Sequence, residues 1–257
     1  MSHNRYLPNE IPADARLRVF AFPYAGGGAA PYFRWRGAMP RGIDLVPLLL
    51  PGREARIAEP ALCDMHTLAA EVADAIAPLV DRPYALLGHS MGAWIALEVA
   101  RKLRDRGADS PRALIVAASP APQRSRGNAA LYQLPDSEFV AEMIRRFNGI
   151  PPAVEKNREL LQLLIPTMRA DMQLLETYDY VEEPPLSTDI LALGGADDRA
   201  VSATALADWR QQAAGEFTSR LWPGNHFFLF HSEQAATGAL TPAARWIAGR
   251  LERYLEP

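Results

Sequence analysis

The chain has 257 residues, room for one large domain or two small ones at roughly 150 residues per domain, and too long to depend on disulfide or metal staples. Its 27 basic and 30 acidic residues leave a formal charge of -3, and 49% hydrophobic with 22% charged residues is ordinary globular composition, which excludes disorder and an electrostatic nucleic-acid binder. A single cysteine (Cys63), no His/Cys cluster to hold a metal, no apolar run near the ~18 residues of a membrane helix and a polar start (Met1 to Asp14) without a signal core point to a soluble cytoplasmic protein in a reducing compartment; a monomer with no cofactor and no membrane or nucleic-acid partner is the expectation, although these features do not fix the oligomeric state.

In chain order, short apolar runs rich in β-formers alternate with segments of helical period, the pattern of a parallel sheet covered by crossover helices. Leu17 to Phe22 reads as the first strand, followed by Phe22-Pro23-Tyr24-Ala25-Gly26-Gly27-Gly28-Ala29. No Lys-Ser/Thr follows these glycines, so they do not suit a phosphate cradle. They do let a backbone N–H near Ala25 approach a reacting carbonyl. Asp44 to Leu50 is the second strand, and Pro51-Gly52-Arg53-Glu54-Ala55-Arg56 after it reads, taken alone, as a plain turn with a solvated ion pair. Apolar residues at 68, 72, 75, 76 and 79 predict a helix over Thr67 to Leu79.

The third strand, Tyr84 to Gly88, runs into Gly88-His89-Ser90-Met91-Gly92, and a helix is predicted over Trp94 to Leu103. A Gly-x-Ser-x-Gly placed between strand and helix is a tight turn that lifts the serine hydroxyl out of the sheet top. The helix behind it aims free N–H groups and a positive dipole end at the same spot, and Met91 would supply one donor. Ala113 to Ala118 is the fourth strand.

The rhythm then breaks between Ser119 and Pro185, where helical patterns over Ser137 to Phe147 and Ala153 to Tyr178 replace any strand. It resumes at Ile190 to Leu193. The expectation is therefore a single domain over 1–257 with a helical lid insertion at about 120–185. Within it Met168, Met172 and Leu175 are expected to line a pocket over Ser90, because methionine adapts to ligands of varied shape; otherwise they only pack the insertion. A helix around Ser202 to Gln212, a last strand at Phe217 to Trp222 and a final helix complete the chain. Thr241 caps that final helix, Pro242 suits its first turn, and Ala244, Trp246, Ile247, Leu251 and Tyr254 form its buried stripe.

A serine nucleophile needs a general base, and the chain offers His3, His66, His89, His226 and His231. His3 lies in a polar terminus, and His89, beside Ser90 in the turn, should point away from it. His226 lies in Gly224-Asn225-His226-Phe227-Phe228, a loop after the last strand that can position and desolvate an imidazole, whereas His231 falls at a helix start. The orienting acid should follow the preceding strand, where Asp197 and Asp198 both stand. Asp198 lies three residues after Gly195 and three before Val201, the usual spacing for such an acid, and is selected. Asp197 fits only with Gly194 and Ala200 as references, and the aspartate not used is expected to cap the helix near Ser202.

Taken together, Phe22-Pro-Tyr-Ala-Gly-Gly, Pro51-Gly-Arg-Glu, Gly88-His-Ser-Met-Gly-Ala, Arg169-Ala-Asp171, Gly194-Gly-Ala-Asp-Asp and Gly224-Asn-His-Phe-Phe resemble, nearly end to end, the type II stand-alone thioesterases of nonribosomal peptide and polyketide synthesis. The resemblance implies an α/β-hydrolase fold, a mostly parallel sheet with helices on both faces and a helical lid. It implies Ser90 as nucleophile, His226 as base, Asp198 as orienter, the Ala25 and Met91 N–H groups as oxyanion donors, and at most a supporting role for Arg53 and Glu54. Arg199 departs from the proline that often follows the acid, which bears on the choice between the two aspartates. The implied partner is an acyl or peptidyl carrier domain bearing acyl-phosphopantetheine, and the implied role is removal of aberrant acyl groups. A medium-chain fatty-acyl thioesterase that terminates chains, a carboxylesterase and a non-catalytic binding protein on the same scaffold are the alternatives.

Overall fold

Six strands, β1 (Leu17–Phe22), β2 (Ile43–Pro47), β3 (Tyr84–His89), β4 (Ala113–Ala117), β5 (Asp189–Gly195) and β6 (Phe217–Trp222), form one sheet in the order β2-β1-β3-β4-β5-β6. Every pairing among them is parallel, as the alternating pattern predicted. The computed structural model describes residues 4–7, 11–12, 14–124, 130–150, 152–230 and 240–255; His3 and His231 lie outside them. Among the described residues no helix is long and apolar enough to cross a membrane.

Five strands are buried on both faces or nearly so, which is why they read as mainly apolar runs, interrupted only by Arg18 and Asp44 near the strand starts, His89 at the end of β3 and Asp189 at the start of β5. Successive side chains alternate between two layers. Phe20, Phe22, Leu86, Val116 and Ala192 pack with α2 (Met65–Ile76) and α3 (Met91–Asp105), while Val19, Ala21, Leu87, Ile115 and Leu193 pack with α1 (Ala30–Arg36) and α8 (Pro242–Leu251). The edge strand β6 is largely exposed. β2 stops at Pro47, three residues short of the predicted end, because the Leu48 N–H donates to Ala21 O while the Leu49 N–H turns away to Tyr6 O. Thr241 caps α8 as expected, accepting from Ala244 N at 3.1 Å. Its stripe is narrower than predicted, with Trp246 and Tyr254 only partly buried.

Among the described residues between β4 and β5 lie three α-helices, α4 (Asp136–Phe147), α5 (Pro152–Glu155) and α6 (Arg158–Glu176). The single helix expected over Ala153 to Tyr178 is split, because the Asn157 side chain accepts from Leu160 N at 3.1 Å and starts a new helix there. These helices share an apolar cluster of their own, Leu131, Phe139, Met143, Ile150, Met168 and Met172. Arg169 of α6 lies over the Phe139 ring at 4.7 Å and pairs with Asp136 at 2.7 Å, so α4 is tied to α6. Beyond β5, α7 (Ala203–Ala207) is capped by Ser202, whose hydroxyl accepts from Ala205 N. The expectation that Asp197 caps it is thereby corrected, since a serine standing at the N-cap itself needs no help from an aspartate five residues earlier.

Candidate active site

The turn from β3 to α3 carries Ser90 with φ 54° and ψ -117°, a backbone conformation uncommon for a side-chain-bearing residue. Its neighbours make this possible. A Cβ on Gly88 would stand 2.2 Å from Gly92 O, and one on Gly92 would stand 2.4 Å from Phe22 O, so both positions require glycine for close backbone approach. Ser90 N donates to Ala117 O at 2.7 Å, which ties the turn to β4.

Loops from the ends of β5 and β6 meet Ser90 there. His226 Nε2 lies 3.0 Å from Ser90 Oγ, and His226 Nδ1 lies 2.8 Å from Asp198 Oδ2. A carboxylate only accepts, so the Nδ1 proton points to Asp198 and Nε2 is left to accept from the serine hydroxyl. The Asp198 side chain is fully buried, and its second oxygen accepts from Ala200 N at 2.8 Å. Asp197 is exposed and uses its backbone N–H on Gly224 O. His89 is buried with its ring among Tyr24, Phe227 and Phe230, so His226 and not His89 faces the serine. Burial, with the Glu54 charge, pushes the Tyr24 phenol above its ordinary range, so it stays protonated at neutral pH.

A cavity of about 260 Å³ opens beside Ser90, lined by Met91, Trp94, Leu131, Phe147, Met172 and Leu175 among others. A small annex of about 30 Å³ joins Ala25 and Tyr24 to Ser90 and His226. On the far side of Phe147, whose ring is 5.4 Å from that of His226, a groove of about 470 Å³ is lined by Arg145, Arg146, Asn148, Asp197, Arg199 and Asn225. Glu176 borders the apolar cavity and accepts from Leu131 and Tyr132 N–H; burial nonetheless pushes its carboxyl above the usual range. A larger polar depression, about 790 Å³, lies by Arg82, Asp109 and Asp189 at the opposite end of the strands, away from the carboxyl ends where parallel sheets place their ligands.

The structure therefore brings Ser90, His226, Asp198, Ala25, Met91, Met172 and Leu175 around one point. Met168 is a correction. It sits one helical turn before Met172, over the glycine loop, where a Cβ on Gly26 would meet its Cγ at 2.7 Å, and it packs into the insertion's own cluster instead of lining the cavity.

Arg53 and Glu54 form no solvated ion pair with each other. Arg53 is buried and pairs with Asp171 of α6, Nη2 to Oδ1 at 2.8 Å and Nη1 to Oδ2 at 3.0 Å, with side-chain exposures of 5% and 2%. Losing either partner alone would strand a buried charge, a cost of about 3–5 kcal/mol. Glu54 accepts from Ala30 N at 3.0 Å and so satisfies the start of α1. Asp171 stands in one of the runs that carry the family resemblance, but its pairing with Arg53 was not read from the sequence. Its signal was an acid inside the stripe Met168, Met172, Leu175, where an apolar residue is expected.

A model of the thioesterase domain family matches residues 17–241. The chain is 38% identical to gramicidin S biosynthesis protein GrsT of Aneurinibacillus migulanus over 231 residues, 90% of each chain. Among solved structures, RedJ, a thioesterase from the prodiginine biosynthetic pathway in Streptomyces coelicolor, superposes with TM-score 0.84 at 35% identity over 96% of both chains. BorB, a type II thioesterase from the borrelidin biosynthetic cluster, gives TM-score 0.84 at 32% identity over 100% of this chain and 99% of that one.

Proposed function

The chain belongs to the thioesterase domain family, among its type II members, and from that premise we propose that it hydrolyses acyl thioesters on the phosphopantetheine arms of carrier domains in nonribosomal peptide or polyketide synthesis, removing aberrant acyl groups. One observation carries the catalytic part of this reading: Ser90 Oγ, the His226 ring and a buried Asp198 carboxylate stand in a continuous hydrogen-bonded line at the edge of an apolar cavity.

In the first step His226 Nε2 takes the hydroxyl proton as Ser90 Oγ attacks the thioester carbonyl. Asp198 holds the ring and offsets the imidazolium charge. The oxygen that becomes negative lies towards the Ala25 and Met91 N–H groups; Met91 opens α3, so no carbonyl one turn earlier in that helix occupies its N–H. As the C–S bond breaks, the sulfur takes the proton from His226 and the thiol leaves. Water then attacks the acyl-serine with His226 as base again, and the proton returns to Ser90 Oγ as the acid departs. The two sides of Phe147 suit the two ends of such a substrate, the acyl chain against Trp94, Met172 and Leu175 and the polar arm along the groove of Arg145, Arg146 and Arg199.

The test compares acyl-carrier thioesters, acyl thioesters of a small thiol and p-nitrophenyl esters. Carrier thioesters should be hydrolysed with the highest kcat/KM. Ser90→Ala should abolish turnover, a loss on the order of 10⁶ in kcat, while the protein stays folded, and a fluorophosphonate should label Ser90 stoichiometrically. A preference for oxygen esters would make it a carboxylesterase, and full turnover by the alanine variant would remove Ser90 from the mechanism.

A further inference from the structure

We infer that Asp171, clamped by Arg53, is a positioning residue for the oxyanion site: it holds in place the glycine loop that carries the Ala25 N–H. The inference rests on the thioesterase reading above and concerns residues that reading does not use.

The loop itself is a four-residue turn. Gly27 N donates to Tyr24 O at 2.8 Å and Gly26 has φ +73°, so the second central residue is left-handed, the pattern of a type II turn. The same four residues can close a type I turn by rotating the peptide between Ala25 and Gly26, which exchanges the places of its N–H and C=O. Glycine has little intrinsic preference between the two. In the structure that peptide's N–H, on Gly26, donates to Asp171 Oδ2 at 2.7 Å. A carboxylate accepts from an N–H and repels a carbonyl oxygen, so Asp171 favours the observed turn and opposes the flipped one.

Arg53 completes the selection. The Nη1 that touches Asp171 Oδ2 also donates to Gly27 O at 2.9 Å, so one guanidinium and one carboxylate hold both the N–H of Gly26 and the C=O of Gly27. Both side chains are buried, where such contacts are not diluted by water. Ala25, whose N–H is the proposed donor, directly precedes the clamped peptide; its own N–H belongs to the Tyr24–Ala25 peptide and is not turned by the flip, so the clamp acts on it by fixing the loop against α6. Because Asp171 lies on α6 one residue before Met172, the helix that walls the acyl cavity also sets the loop.

Three variants test this: Arg53→Lys, which keeps the charge and loses the fork; Asp171→Asn; and the double Arg53→Met/Asp171→Leu, which replaces the pair with apolar groups and removes the acceptor for Gly26 N–H. For each, kcat and KM on a small-thiol thioester, affinity for an alkylboronic acid that adds to Ser90 Oγ as a tetrahedral adduct, and amide exchange at Gly26 are measured. The expected order of kcat loss is double, then Asp171→Asn, then Arg53→Lys, reaching about a hundredfold for the double variant. KM should change less than about threefold, boronate affinity should fall in step with kcat, and the Gly26 amide should exchange faster while the Ser90 turn is unchanged. Folded variants with wild-type kcat and boronate affinity would overturn the inference, as would a kcat loss accounted for by melting temperature alone. If Asp171→Asn does not fold, the double variant decides. Wild-type turnover scores the thioesterase reading separately: a wild-type protein that hydrolyses no thioester defeats that reading, whereas an active wild type with equally active variants defeats only this one.

Discussion

Two strand-to-helix turns flank the candidate active site, and they are held in different ways. The turn from β3 to α3 is shaped by its own glycines and by the neighbouring strands: Gly88 against Gly92, Gly92 against Phe22, Ser90 N on Ala117 O. The turn from β1 to α1 is closed by one bond of its own, Gly27 N on Tyr24 O, but has no contact from a neighbouring strand of that kind and leans on side chains 24 to 145 residues away, Glu54 on Ala30, Arg53 on Gly27 and Asp171 on Gly26. The first turn is part of the sheet's packing and is formed whenever the sheet is. The second is conditional, since it takes its shape only when the loop after β2 and the helix α6 are both in place. Rigidity around Ser90 thus comes from backbone contact, and rigidity around Ala25 from polar side chains.

This contrast can be broken at several points. The largest effect is expected at the acid. Asp198→Asn should lower kcat by a factor on the order of 10⁴, because an amide cannot hold His226 in the tautomer that leaves Nε2 free to take a proton. Asp197→Asn, exposed and using only its backbone on Gly224, should stay within about twofold of wild type. If Asp197→Asn proves the damaging change, the orienting role passes to the other aspartate; steady-state kinetics on one thioester decides.

Next comes the backbone-built turn. Gly92→Ala places a methyl against the Phe22 carbonyl, and backbone there cannot yield as a side chain would. A loss of about 1–3 kcal/mol is expected, read as a lower melting temperature by roughly 2–4 °C per kcal/mol in a chain of this size. An unchanged melting temperature would mean that this turn is as adaptable as the glycine loop, and the contrast would disappear.

The smallest effect is expected at the cavity beside Ser90. Met172→Trp should raise KM for long-chain thioesters about tenfold relative to acetyl or propionyl thioesters, since it fills the space beside Leu175 and Trp94. Met172 also belongs to the insertion's apolar cluster, so thermal melts must accompany the kinetics. A parallel loss at every chain length would assign the residue to packing.

Strands were legible because burial on both faces leaves an apolar run bounded by turn formers, uninterrupted in Ala113–Ala117 and broken in Leu17–Phe22 only by Arg18, which pairs with Asp81. Ser90 and His226 were legible because each sits in a local run whose chemistry is recognisable within five residues, and Asp198 because its spacing from Gly195 and Val201 separates it from its neighbour. The pairing of Arg53 with Asp171 was not, although both residues stand in runs that carry the family resemblance. Neither residue's neighbourhood reveals that a guanidinium 118 positions away will find the carboxylate, and an arginine next to a glutamate reads as an exposed pair. The split at Asn157 was hidden for a similar reason, because a capping side chain inside a helical period interrupts the helix without interrupting the pattern.

The pairing of Arg53 with Asp171 makes the helical segment between β4 and β5 a poor cassette for transplantation. A donor segment grafted onto another sheet brings the carboxylate and Met168 but leaves behind the arginine that neutralises the one and the glycine that admits the other. The heritable unit is three separated stretches, the loop after β1, the loop after β2 and the segment up to Glu176. Chimeras that exchange all three should keep turnover where exchange of the helices alone loses it.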